Sequence, residues 1–279
     1  MIQTKIMGII NATPDSFFPE SRRGRSEDTL MAACSYGKFL EKSGADLVDI
    51  GGESTRPGAS SVPLAEELQR VIPLIKELKN HLKIPLSIDT MKPEVAAAAV
   101  EAGVTFINDV SGFISPEMRA LAASFSVQVC AVHGSSLLTV EKNAVPKEGI
   151  VQSILRWFEE VVTALIQSGV KEKFIILDPG IGFGGKTVAD NFEILRNLPQ
   201  LKAFGFPILL GISRKSFMGR FLDLPPSELL PATLALNSLA IEAGVDYIRV
   251  HDVKEHKEAA VLLHELFSTR ELIDSLQKI

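Results

Sequence analysis

Two aspartates, Asp89 and Asp178, each close an apolar run (Leu86-Ser-Ile-Asp89 and Ile175-Ile-Leu-Asp178) with no cation beside them in sequence. A carboxylate in that position can accept paired N–H donors from a flat heterocycle. Either one alone reads better as a loop cap. With Asn108, which closes Phe106-Ile-Asn108, they describe a pocket for a polar ring. A second group is basic: Arg214-Lys215 follows one apolar run and Arg249-Val-His251 follows another. Strand alternation puts Arg249 and His251 on one face, so both can point at one anion. Asn11, closing Ile9-Ile-Asn11, offers an amide oxygen to a Mg²⁺ already carried by phosphates, since that ion takes few protein ligands in such sites.

These residues need elements to bring them together. Apolar runs ending in polar residues recur eight times, and helical patterns lie between them. The richest is Leu47-Val-Asp-Ile-Gly-Gly-Glu-Ser-Thr-Arg-Pro-Gly58. Its paired glycines and its Pro-Gly stop hold Glu53, Ser54, Thr55 and Arg56 in a turn. Strands are expected at 5–10, from Leu47 into the paired glycines, and at 84–89, 104–108, 127–132, 174–178, 207–212 and 245–250. Helices are expected at 26–42, 64–79, 93–103, 116–124, 150–168, 188–197, 227–243 and 254–277, and a loop at 133–149. The strands are apolar at nearly every position, as when both faces are covered. Eight strand–helix units in 279 residues, with no linker or low-complexity tract, predict an α/β fold: a single (β/α)8 TIM barrel, one domain over 1–279. A doubly wound sheet is the alternative, but it gathers its ligand loops at one switch point. Here nearly every strand end is polar, and in a barrel those ends form one rim.

A hydrophobic fraction of 46% supports a sizeable core, and a net charge of −5 argues against nucleic acid or acidic membranes as partners. No run approaches the about 18 apolar residues of a membrane span, and the first residues lack a signal-peptide pattern. Cys34 and Cys130 read as buried small hydrophobes. A soluble cytoplasmic protein is expected. There is no G-x-S-x-G elbow, P-loop lysine motif or zinc-type Cys/His spacing, and no activated nucleophile. The chemistry must therefore rest on positioning, charge stabilisation and a good leaving group.

The chain resembles the dihydropteroate synthase family. The matching pieces are Asn11-Ala-Thr-Pro-Asp-Ser-Phe17, Asp49-Ile-Gly-Gly-Glu-Ser-Thr-Arg-Pro-Gly58, Ser87-Ile-Asp-Thr90, Ile107-Asn-Asp-Val-Ser-Gly112, Asp178-Pro-Gly-Ile-Gly-Phe183, Ser213-Arg-Lys-Ser216 and Arg249-Val-His-Asp252, in the family's order across nearly the whole chain. The resemblance implies condensation of a dihydropterin-methyl diphosphate with p-aminobenzoate, for which sulfonamides compete. It places Asp89, Asn108, Asp178 and Lys215 on the pterin, with Asn11, Arg249 and His251 on diphosphate and Mg²⁺. Thr13, Pro14, Asp15 and Phe17 fall in a first mobile loop, and Thr55 and Arg56 in a second. Phe183 and Ser216 join these loops around the aminobenzoate. The resemblance also implies a homodimer packed through late helices, and in some organisms a fusion with the preceding pathway kinase, from which this chain could be excised.

Three segments depart from the family pattern. Gly134, in Val132-His-Gly-Ser-Ser136, replaces a methionine that packs on the pterin. An extra glycine stands in Gly184-Gly185-Lys186-Thr187, and the first loop reads Phe17-Phe-Pro-Glu-Ser21. Two other readings share the pterin carboxylates: a pterin-dependent methyltransferase barrel, and a non-catalytic paralogue that binds pterin without turnover. The methyltransferase has no use for Arg249-Val-His251 or Ser213-Arg-Lys-Ser216, and a pure binder need not keep Arg249, His251 and Asn11.

Overall fold

The structure is a computed structural model describing residues 4–12, 26–54, 61–134 and 148–276, with the backbone alone at 26–29 and 268–276. Its eight strands are β1 (Lys5–Asn11), β2 (Leu47–Gly51), β3 (Leu86–Asp89), β4 (Phe106–Asp109), β5 (Gln128–Val132), β6 (Ile175–Asp178), β7 (Leu209–Leu210) and β8 (Tyr247–Val250). All pair in parallel in the order β6-β5-β4-β3-β2-β1-β8-β7. A parallel bridge between Leu177 and Ile208 joins the two ends of that order, reinforced by Leu177 N–H donating to the Pro207 carbonyl at 2.9 Å. The sheet is therefore a closed (β/α)8 barrel.

The helices are α1 (Ser26–Lys42), α2 (Leu64–His81), α3 (Pro93–Glu101), α4 (Pro116–Phe125), α5 (Ile150–Gln167), α6 (Val188–Arg196), α7 (Leu198–Lys202), α8 (Ser216–Leu222), α9 (Leu230–Glu242) and α10 (Val253–Leu276). Alternation along each strand sorts the apolar residues into two sets. Ile6, Ile10, Val48, Ile50, Ile88, Ile107 and Val129 face the helices, whereas Met7, Leu47, Phe106, Cys130, Ile176, Leu209 and Tyr247 fill the barrel interior. Above that interior layer the inward positions turn polar, and the rim begins there. At the opposite end, Asp46 and Asp246 precede β2 and β8 and accept the Ile6 and Ile208 N–H groups at 2.8 and 2.7 Å. Among the described residues, no helix is long and apolar enough to cross a membrane.

Several boundaries differ from the expectation. β7 was expected over 207–212 but pairs regularly at only two residues; Pro207 has no N–H to donate, and Ile208 makes the closing bridge. The helix expected at 188–197 ends at Arg196 and restarts as α7 with Pro199 in its first turn. The turn after β7 contains an unexpected helix, α8, and α9 is preceded by a 3₁₀ turn at Pro226–Glu228. Most of the expected 133–149 loop lies outside the described residues, as do Thr13, Pro14, Asp15, Phe17, Thr55 and Arg56.

Candidate active site

Asp49 organises the inner rim. It is fully buried in β2. Its Oδ2 accepts from Arg249 Nε at 2.6 Å and Asn108 Nδ2 at 3.2 Å, and its Oδ1 accepts from Ser87 Oγ at 2.5 Å. Arg249 spans to a second carboxylate, donating Nη2 to Asp89 Oδ2 at 2.8 Å. Burial works against the Arg249 charge, but Asp49 and Asp89 outweigh it and hold the guanidinium above its usual range. Burial pushes the Asp89 carboxyl up to about 7; Arg249 opposes that push and Asp49 adds to it. Adjacent strand registers put Asp89 beside Asn108. Asp89 Oδ1 and Asn108 Oδ1 are both buried without a hydrogen-bond partner.

Across the barrel, Asp178 uses Oδ1 to accept the Gly180 N–H at 2.7 Å, and burial raises its pKa against the pull of Lys215. The Lys215 amine donates to the Ile181 carbonyl and stands 3.9 Å over the Phe183 ring. Burial lowers its pKa to about 8, although Asp178 favours its charge. The site thus pairs buried acceptors, two of them unmet, with a cation poised close to neutrality. That arrangement holds a flat ring carrying N–H donors on one edge and an acceptor on another.

His251 and Ser213 meet at 2.9 Å between Nδ1 and Oγ, and the His251 N–H also donates to Ser213 Oγ at 3.2 Å. Arg214, grouped with Lys215 in sequence, turns away from them. At φ 54° it binds Asp252 in a fork at 2.9 and 2.7 Å and donates to the Pro226 and Ser227 carbonyls. The basic cluster is accordingly Lys215, Arg249 and His251, and Arg214 anchors the loop. Beside it opens a cleft of about 680 Å³ lined by residues 182–188, Ser216 and Arg220.

Residues 7–251 match the family described as pterin binding enzyme. The chain belongs to that family. It is 43% identical over 260 residues to the dihydropteroate synthase of Clostridium beijerinckii, covering 92% of each chain. A crystal structure of Clostridium difficile dihydropteroate synthase in the presence of pteroic acid is 43% identical, with a TM-score of 0.88 over 95% of this chain and 97% of that one. The Xanthomonas albilineans dihydropteroate synthase with 4-aminobenzoic acid is 38% identical, with a TM-score of 0.86 over 95% and 93%.

Within this pterin binding fold, Asp89, Asn108, Asp178, Lys215 and Arg249 converge on the barrel axis. His251 stands by Ser213, Phe183 and Ser216 share the cleft, and Asn11 is half-buried at the end of β1. The stub of the second loop is pinned: Arg70 Nη1 donates to the Gly52 carbonyl at 2.7 Å, and Lys92 binds both Glu53 and the buried Glu67. Sequence reasoning passed over Asp49, although a charge inside an apolar strand was a visible signal. It also passed over Arg220, which carries no signal in the sequence and reaches the cleft beside Ser216 only through the unexpected helix α8.

The departures at Gly134 and Lys186 fit together. A Cβ at Gly134 would lie 2.3 Å from the Val110 carbonyl oxygen, and one at Gly180 would lie 2.0 Å from that of His133, so the loops after β4, β5 and β6 pack closer than side chains permit. Lys186 clamps them, its amine donating to the His133 and Phe183 carbonyls at 2.8 and 3.2 Å.

Proposed function

We propose that the chain is a dihydropteroate synthase of folate biosynthesis, a transferase acting as one barrel domain over residues 1–279. It condenses 6-hydroxymethyl-7,8-dihydropterin diphosphate with p-aminobenzoate to give 7,8-dihydropteroate and diphosphate. The observation that carries this reading is the pair of unmet buried acceptors, Asp89 Oδ1 and Asn108 Oδ1, facing the barrel with Asp178 and Lys215. A pterin brings amino and ring N–H donors to Asp89, Asn108 and Asp178 and a carbonyl to Lys215.

The C–O bond from the pterin methylene breaks first, its electron pair leaving with diphosphate. The arylamine nitrogen then attacks the ring-stabilised methylene cation and loses a proton. Such a dissociative, SN1-like substitution needs no protein nucleophile. Arg249 and His251 receive the departing charge, while Phe183, Ser216 and Arg220 shape the p-aminobenzoate cleft, where sulfonamides compete. The family resemblance assigns Thr13, Pro14, Asp15 and Phe17, with Thr55 and Arg56, to excluding water from the methylene cation.

Asn11 suits Mg²⁺ in one way only. It is half-buried at the end of β1, and a lone amide oxygen holds this ion only when phosphates supply further ligands. Bound there, Mg²⁺ would neutralise charge on the diphosphate. A cytoplasmic homodimer accompanies the proposal, supported by exposed Leu239 on α9 and by Val261, Leu262 and Leu266 on α10.

The test is diphosphate release from the dihydropterin substrate with Mg²⁺, with and without p-aminobenzoate, with product identified by mass. Amine-dependent release of diphosphate alongside dihydropteroate is expected. Substrate binding with no release would make the chain a pterin binder without turnover.

A further inference from the structure

Outside the rim, one group of side chains has no part in the proposed reaction. Cys34 lies on α1, and Glu77 and His81 lie on α2. One ligand atom from each, Cys34 Sγ, a Glu77 carboxylate oxygen and a His81 ring nitrogen, falls within 4.8 Å of the others. We propose that Cys34, Glu77 and His81 form a site for a zinc-class divalent cation that clips α1 to α2 on the outer wall of the barrel.

The sequence and packing build this trio. Glu77 and His81 are four residues apart on one helix, so they share a face, and His81 Nε2 meets Glu77 Oε1 at 2.9 Å. Gly37 lets α1 approach: a Cβ there would come 2.4 Å from Leu78 Cδ2. Cys34, three residues earlier on the same face, is thereby brought against the segment holding Glu77 and His81. The helices return from the rim, so His81, in the last turn of α2, sits at the end of the barrel away from Asp89 and Asp178.

The ligand types select the cation. Thiolate, imidazole and carboxylate together suit Zn²⁺ and its relatives, whereas Mg²⁺ and Ca²⁺ take oxygen ligands. Tetrahedral zinc bonds of about 2.0–2.3 Å place ligand atoms roughly 3.3–3.8 Å apart. The widest separations in the trio therefore need to close by no more than about 1.5 Å while the Glu77–His81 pair, at 2.9 Å, opens slightly, and the side chains that must move are the accessible ones, His81 at 40% and Glu77 at 45% exposure. Cys34 is buried and free of any disulfide. Burial pushes its thiol pKa up and Lys38, one turn on, pulls it back, so binding expels a proton. Three protein ligands leave a fourth position for water.

Co²⁺ titrated into chelator-treated protein tests the site. One equivalent is expected to raise a near-ultraviolet sulfur-to-cobalt charge-transfer band that Zn²⁺ then bleaches. Cys34→Ser should abolish the band, and His81→Ala, at an exposed position that leaves the fold intact, should weaken Co²⁺ binding at least tenfold. Both variants should keep the wild-type rate of diphosphate release. The inference is overturned by absence of the band in the wild type, by its survival in C34S (which would assign it to Cys130), or by unchanged affinity in both H81A and E77A. None of these outcomes depends on turnover, so failure here and failure of the synthase assignment are distinguishable.

Discussion

Replacing Arg249 by methionine should destabilise the protein in a strongly pH-dependent way. The substitution removes the cation held by Asp49 and Asp89 at 2.6 and 2.8 Å. Asp49 would keep its bonds from Ser87 and Asn108, whereas Asp89 would lose the side-chain donor on Oδ2 and already lacks one on Oδ1. The compensating proton therefore goes to Asp89. Burial already raises that carboxyl from 3.8 to about 7 with Arg249 present, and without the guanidinium it rises further. The sign follows from linkage: the folded state binds this proton more tightly than the unfolded chain. In the wild type, Asp89 thus removes stability as pH climbs from about 4 to 7, then nothing more once it is ionised in both states. In R249M the folded carboxyl stays protonated above pH 7, so the loss continues at about 1.4 kcal/mol per pH unit.

Between pH 7 and 9 the gap between the two proteins should widen by about 2.7 kcal/mol at that slope, just under the ~3–5 kcal/mol typical of stripping one partner from a buried pair. At pH 6, where most of Asp89 is neutral in both proteins, the gap should be smallest. Urea denaturation followed by the fluorescence of Trp157, the single tryptophan, gives both stabilities at each pH. The neighbouring His133, with rings 5.1 Å apart, does not confuse the comparison, because burial depresses its pKa to about 3 in the folded state and its titration on unfolding is shared by both proteins. An equal stability loss at pH 6 and pH 9 would refute the assignment of the proton to Asp89.

Three further outcomes are expected. Asp178→Asn should weaken pterin binding roughly tenfold to a hundredfold by calorimetry while the amide oxygen still accepts the Gly180 N–H; wild-type affinity would remove Asp178 from the pterin edge. Lys186→Met leaves the His133 and Phe183 carbonyls without their donor and should cost about 1–3 kcal/mol in chemical denaturation. Because burial lowers the Lys186 pKa to about 7, the folded wild type sheds that proton first and gains stability from there toward the amine's ordinary 10.5, so the gap to K186M should widen with pH. Arg220→Ala should raise KM for p-aminobenzoate about two- to fivefold, less at high salt, with kcat unaltered, as fits one exposed cation at the cleft; an unchanged KM would place the carboxylate elsewhere.

The rim was legible because each strand announced its own end. Asp89, Asn108, Asp178 and Arg249 close or nearly close apolar runs, and eight such runs in parallel must bring those ends together. The partnerships were not legible. Asp49 and Arg249 are 200 residues apart and meet only because β1 separates their strands in the closed sheet. Arg214 looked equivalent to Lys215, but its positive φ directs it to Asp252 and away from the axis. The helix α8 was missed for a related reason. Seven residues, Ser216–Leu222, are too few for helical periodicity to show, and tertiary contacts such as Phe217 against Phe192 at 5.6 Å hold it.

Polar atoms left unmatched in the core normally cost a protein about 1–3 kcal/mol each, and Asp89 Oδ1 and Asn108 Oδ1 are two of them on one wall. Nothing in barrel packing requires that cost, since an apolar pair at those positions would continue the layer formed by Phe106, Cys130 and Ile176. The neighbouring groups are held near their charge transitions by the same burial: Asp89 at about 7 and Lys215 at about 8. A ligand supplying donors to the first wall and an acceptor to Lys215 would remove both kinds of cost at once. The binding energy is thus stored in the free protein as unmet hydrogen bonds and displaced ionisation equilibria. The same reasoning fits the proposed dissociative route, in which a site that stabilises charge on both fragments of the substrate has no need of a protein nucleophile.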